Sequence, residues 1–225
     1  MTDNLIKFYT EDEGALEHLP PLPAKKCIPE WYKNIENFID KKEINIHMPT
    51  IKQCPPVTDM ITSGYIIRNT YEFDIEPKKV NGYWENPHIC NYENYVQAHR
   101  HEQCPVNHDD MKGHYFKVNQ PWVIRTPPGY SCLFVQPFYH METRFQMMPA
   151  IVDTDKHDMP VLFTGWIRNP KEKLVVEPGT PIMQVIPFKR ETWKSEIFKK
   201  PVNTFANWFL NFHYKNLYWN RKRFD

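Results

Sequence analysis

From Gly113 onward the chain repeats one pattern: a short apolar run, rich in β-branched or aromatic residues, closed by Pro, Gly, Asn or Asp. HYFKVN, PWVIRT, YSCLFVQPF, MPAIVDT, PVLFTGWI, KLVVEP and PIMQVIPF are its successive instances. Short runs with regular turn punctuation predict antiparallel strands, not βαβ units. The expected fold class is therefore mainly β: a single β-sandwich, jelly-roll or β-clip-like domain with a short N-terminal helix and a C-terminal helix packed on it. Upstream, Tyr65 and Ile67, then Tyr71, Phe73 and Ile75, alternate as one or two further strands would, and LIKFY near the N-terminus reads as another. Glu76 to Gly82 reads as a polar turn, and Tyr83-Trp84 opens an extended segment. A helix is predicted from Pro29, with Glu30 in its first turn and Trp31, Ile35, Phe38 and Ile39 along one apolar face. A short helix or turn is expected after Pro55-Pro56. The tail places Phe205, Trp208, Phe209, Phe212 and Leu217 near helical spacing, which predicts a terminal helix covering a sheet edge or docking on a neighbour. Within one domain of residues 1–225, the segments are a Pro-rich stretch 1–62, a β core 63–200 and a helical tail 201–225.

Composition sharpens this picture. With 15% aromatic residues but only 7 Gly, bulky side chains must fill the interior. The 21 Pro disfavour long helices. A net charge of +1 offers no electrostatic case for nucleic acid or an anionic membrane surface. No apolar run reaches the roughly 20 residues a bilayer requires, and the acidic start MTDNLIKFYTEDEG carries no secretory pattern. The 5 scattered cysteines, without a CxxC pair, suit free thiols and a cytoplasmic location.

Candidate chemistry is sparse. His99-Arg-His101-Glu-Gln-Cys104, with His108 and His114 behind, gathers imidazole and thiol groups. On a strand His99 and His101 share a face, so with His140 or His157 as a distant third ligand they could hold a divalent metal such as Zn or Fe. The alternative is a polar loop whose histidines have no common purpose. Asp153, just after the apolar run Ala150–Val152, stands where a strand-end carboxylate can activate water, although Asp is also an ordinary turn former. Arg125, before the stiff Thr126-Pro-Pro-Gly129 turn, needs water, a carboxylate such as Asp153, or a ligand. Ser131 and Cys132 lie outside any G-x-S-x-G elbow, and no Walker A or G-x-G-x-x-G stretch occurs.

Residues 121–190 resemble an uncharacterised domain family of phages and bacteria. Its motifs are R-T-P-P-G-[WY], a hydrophobic-[DE]-T-D turn and a G-x-P strand ending in F-P-[hydrophobic]-x-R. Here they correspond to Arg125–Tyr130, Val152–Asp155 and Gly179–Arg190, and Gly64-Tyr65 corresponds to a Gly-Trp pair. A second resemblance links AIVDTD and PGTPIMQVI to two motifs of trimeric dUTPases and dCTP deaminases. It implies that Asp153 orients an attacking water and that Gln184 lies near a nucleotide. The P-R-S-G phosphate motif of those enzymes is absent from this sequence, and Ala150 replaces their hairpin glycine.

Three functions are therefore carried forward, and whether the chain is an enzyme is left open. The first is a phage-type binding or structural protein with a protein partner or as a homo-oligomer, in the host cytoplasm or the virion. The second is a metal-dependent, cupin-like enzyme using the histidines of residues 99–114. The third is a dUTPase-like nucleotide-binding protein using Arg125, Asp153 and Gln184.

Overall fold

A computed structural model describes residues 5–41, 46–81, 83–84, 87–99, 103, 115–169 and 171–199. The expected C-terminal helix, like His101, Cys104, His108 and His114, lies outside the described residues. The chain is mainly β, its paired strands are antiparallel, and three short α-helices occur among the described residues. It divides into two compact units, one of Met1–Cys27 with Gly64–Arg190, the other of Ile28–Ser63 with Glu191–Asp225.

In the first unit a five-stranded sheet runs in the order Ala150–Val152, Tyr130–Val135, Pro181–Lys189, Tyr65–Arg68, Leu22–Pro23. Its centre is the nine-residue strand Pro181–Lys189, where Ile182 to Val185 are all buried. A central strand with cover on both faces needs an apolar run, not alternation, and IMQV supplies most of one. A four-stranded sheet orders Val96–Ala98, Tyr115–Val118, Phe163–Ile167 and Phe145–Met147. A three-stranded one orders Leu174–Val176, Phe73–Glu76 and His88–Asn91. Alternation is clean in three of their strands: Phe163, Gly165 and Ile167 are buried, as are Phe73 and Ile75, and Leu174 and Val176. Lys7–Tyr9 pairs with Val123–Arg125. Lys79–Val80 pairs with Tyr83–Trp84, so part of the expected polar turn is a small hairpin.

The core of this unit is aromatic. Phe73, Phe116, Phe134, Phe145, Phe163 and Trp122 are fully buried, with ring centroids 5.9 Å apart for Phe73–Phe116 and 5.8 Å for Phe134–Phe163. Each such side chain contributes on the order of 1.5–3 kcal/mol by leaving water. Large rings filling the space between short strands account for the pairing of many aromatics with few glycines.

The second unit corrects one expectation. The helix expected from Pro29 has Pro29 as its N-cap and Glu30 as its first residue, but it ends at Asn34. Ile35 is extended, with φ −66° and ψ 138°, and Phe38–Lys41 forms a hairpin with Ile46–Pro49. Ile35, Phe38 and Ile39 therefore do not extend a helical face; Phe38 and Ile39 remain 43% and 40% exposed. The physical reason lies in the helix end: Lys52 Nζ donates to the carbonyls of Lys33 at 2.8 Å and Ile35 at 3.1 Å. A cation on those carbonyls satisfies them where a further turn would have done so. The helix after Cys54, Pro55–Thr62, forms as expected.

Two elements of the first unit escaped the pattern. Glu13–His18 is a helix whose N-cap Asp12 accepts from Ala15 N at 2.8 Å. Phe145–Met147 is a strand only three residues long.

Candidate functional site

Antiparallel pairing carries the three motifs of residues 121–190 to one place. Thr126–Gly129 closes the turn between Val123–Arg125 and Tyr130–Val135, with Gly129 at φ +87°. Ala150–Val152 runs against Tyr130–Val135 with Cys132 opposite Val152, so Asp153-Thr154-Asp155 continues past Ser131. On the other side Tyr130 lies opposite Lys189, so the next residue, Arg190, arrives at the same end.

Arg190 is the centre of the resulting clasp. Its Nη1 donates to Tyr130 O, Ser131 Oγ and Asp155 Oδ1, each at 2.9 Å, and its Nη2 to Asp155 Oδ2 at 2.5 Å. Two parallel bonds from a planar guanidinium to one carboxylate fix direction as well as distance. Asp155 Oδ2 also accepts from Gly129 N at 2.8 Å, and Arg190 N donates to Gly129 O at 2.8 Å. Asp153 Oδ1 accepts from Ser131 Oγ at 2.7 Å and lies 3.2 Å from Arg190 Nη1. Beneath them Thr154 is buried, its hydroxyl 2.7 Å from that of Thr126 and donating to Cys132 Sγ at 3.3 Å.

The charges are settled within the clasp. Hydrogen bonds from Arg190, then from Gly129 N–H, hold the Asp155 carboxyl well below the usual carboxylate range. Burial pushes the Cys132 thiol up, which suits an inert core cysteine better than a nucleophile. Arg125 finds a carboxylate, but a different one from Asp153: its Nη2 is 2.5 Å from Asp158 Oδ1, and its Nη1 donates to Asp155 O at 3.1 Å. Chemically this is an ion-paired turn lock, with Asp153 half-exposed at its rim.

The other candidates lie elsewhere. Gln184 is 3% exposed and stands opposite Val135 and Ile66, six residues up the strand from Arg190. His99 follows the edge strand Val96–Ala98, its imidazole pushed down by burial and then by Lys117. His140 ends a 3-10 turn at Phe138–His140, its imidazole pushed down by burial. His157 is exposed in the turn after Asp155. Among the described residues no three His, Cys, Asp or Glu side chains are grouped so as to hold a metal ion. Asp155 and Arg190, the strongest pair of the clasp, were not singled out from the sequence. Their signal was present as the last letters of the D-T-D and F-P-x-x-R motifs.

No family model matches the chain, and a search of curated proteins returned no match. The class of protein is therefore defined by architecture: a mainly β chain in which, among the described residues, a polar cluster joins the ends of three adjacent strands.

Asp155→Asn should destabilise the protein at pH 7 while preserving the fold. The carboxyl is depressed in the folded state, so its contribution is present above the ordinary value of 3.8 and is lost as pH falls below it toward the folded pKa. Urea melts of wild type and variant should therefore differ clearly at pH 7, and the gap should narrow progressively as pH falls below 3.8. A gap independent of pH would show that the ion pair is not its origin.

Proposed function

We propose that the chain is a phage-type binding or structural protein that works by docking on a protein partner or on further copies of itself. The observation that carries this reading is the segment after Arg190, which forms no helix or strand over 191–199. Trp193, Ile197 and Phe198 are 84%, 99% and 76% exposed. Isolated surface apolar residues are ordinary, but three large ones exposed within six positions are of the kind that interfaces cover. Each would contribute on the order of 1.5–3 kcal/mol if buried in a complex. The clasp supports the same reading, because Asp153 is held by Ser131 and Arg190, groups of the protein itself. The host cytoplasm or the virion is the setting in which such docking would occur.

Size-exclusion chromatography with light scattering tests it on the full chain and on the combined Trp193→Ser, Ile197→Ser, Phe198→Ser variant. The wild type should assemble in a concentration-dependent way or capture a defined partner in stoichiometric amount. The variant should lose that association with its thermal midpoint unchanged. A wild type that stays monomeric and captures nothing would overturn the proposal.

A further inference from the structure

Away from the clasp, the first unit carries two adjoining cavities of about 510 Å³ and about 430 Å³ that share Asp12 and Pro121 in their walls. Tyr9 and Glu11 line the larger. Tyr71, Tyr92, Tyr95 and Glu93 line the smaller. None of the residues lining either cavity is Lys, Arg or His, while three of them are carboxylates.

The aromatic wall is built, not incidental. Tyr71 sits with its ring centroid 4.9 Å from that of Tyr92 and 5.3 Å from that of Tyr95, edge-on to the latter. Tyr71 Oη donates to Asp12 Oδ2 at 2.6 Å, and Asp12 is itself fixed as the N-cap of Glu13–His18. Tyr95 is buried, and its hydroxyl accepts from Thr70 N at 3.0 Å. This fixed pair leaves Tyr92, 55% exposed, as a ring braced on one side and open on the other. The turn beside it closes through Tyr95 N to Tyr92 O at 2.8 Å and presents Glu93 at the cavity. The carboxylates impose a negative field. Hydrogen bonding and charge from Asp12 help push the Tyr71 hydroxyl up to about 12, and Glu93 pushes that of Tyr92 up as well.

We propose that this tyrosine-walled trough is a binding site for an organic cation, an alkylammonium or guanidinium group seated on the open face of Tyr92 between Glu93 and Asp12. A cation over an aromatic face is drawn by the ring quadrupole, and the carboxylates add attraction that no lining cation cancels. An anion would meet the repulsion of three carboxylates with no lining cation to offset it. A neutral sugar could stack on the ring but would gain nothing from the carboxylates' charge. The residues of this site are not those of the Trp193–Phe198 segment, so this inference does not depend on the docking proposal.

The test is an NMR titration of the full chain, following amide resonances of residues 10–14 and 91–96. The probes are choline, its neutral isostere 3,3-dimethylbutanol, arginine amide and glucose. Choline or arginine amide should give saturable shifts with millimolar affinity, weakened by salt, while the neutral probes should not. Tyr92→Ala should weaken binding about fivefold or more and Glu93→Gln about threefold, both at exposed positions and with thermal midpoints checked. A Gly-Arg-Gly peptide about tenfold tighter than arginine amide would assign the cation to a partner's side chain. Equal affinity would assign it to a free small molecule, and both results support the site. Dimethylbutanol binding as well as choline, glucose binding instead, no saturable shift, or variants that bind like wild type would each overturn it.

Discussion

Gly64→Ala is expected to destabilise the protein by about 2–5 kcal/mol, the sum of a left-handed backbone cost and a steric one. Gly64 has φ +68°. A Cβ there would lie 2.0 Å from Val185 O and 2.9 Å from Val185 C, atoms of the central strand's backbone. Backbone in the middle of a sheet cannot turn aside as a side-chain tip can. Relief would require moving Tyr65–Arg68 away from Pro181–Lys189, which breaks their register at Val185 and Tyr65. Against a typical total of about 5–15 kcal/mol, such a loss leaves little stability. Gly129→Ala is the matched control, since its φ is +87° but nothing lies within 4 Å of the added carbon. Only the backbone cost of about 1–2 kcal/mol applies there. Urea denaturation of the two variants should show the difference directly, and equal midpoints would refute the steric argument.

Asn69→Ala is expected to lose about 3 kcal/mol. Asn69 is wholly buried. Its Nδ2 donates to the carbonyls of Tyr71 at 2.8 Å, Val176 at 3.0 Å and Glu177 at 3.2 Å. Its backbone donates to Thr180 O at 2.7 Å and accepts from Gly179 N at 2.8 Å. One side chain thus ties the chain entering Phe73–Glu76 to the chain leaving Leu174–Val176. Truncation strands buried carbonyls without water, so the loss exceeds the net worth of the bonds removed. Asn119→Ala, which removes one exposed bond to Asn94 O at 2.7 Å, should cost no more than about 1 kcal/mol. Denaturant midpoints for the pair measure the contrast.

The strands most legible in the sequence were those whose neighbours impose a simple burial rule. Phe163–Ile167 and Leu174–Val176 alternate because one face meets the core, and Pro181–Lys189 reads as an apolar run because it is central. Phe145–Met147 is too short for a period to register, although Phe145 and Met147 are both buried. The helix at Glu30 had the right start, but its length depended on Lys52, nearly twenty residues away, capping Lys33 and Ile35. Likewise Arg125 visibly required a partner, yet the choice of Asp158 over Asp153 is a matter of where a turn folds back.

Side-chain chemistry and local spacing determined the mainly β class, the aromatic core and the stiff turn at Thr126–Gly129, because those depend on burial and backbone freedom within a few residues. Only the tertiary structure decided which charges meet. Arg190 and Asp155 are separated by 35 positions and joined by two hydrogen bonds, and Asp12 reaches Tyr71 across 59. Such pairs follow from strand register, which a sum of non-local contacts selects and which no local window contains.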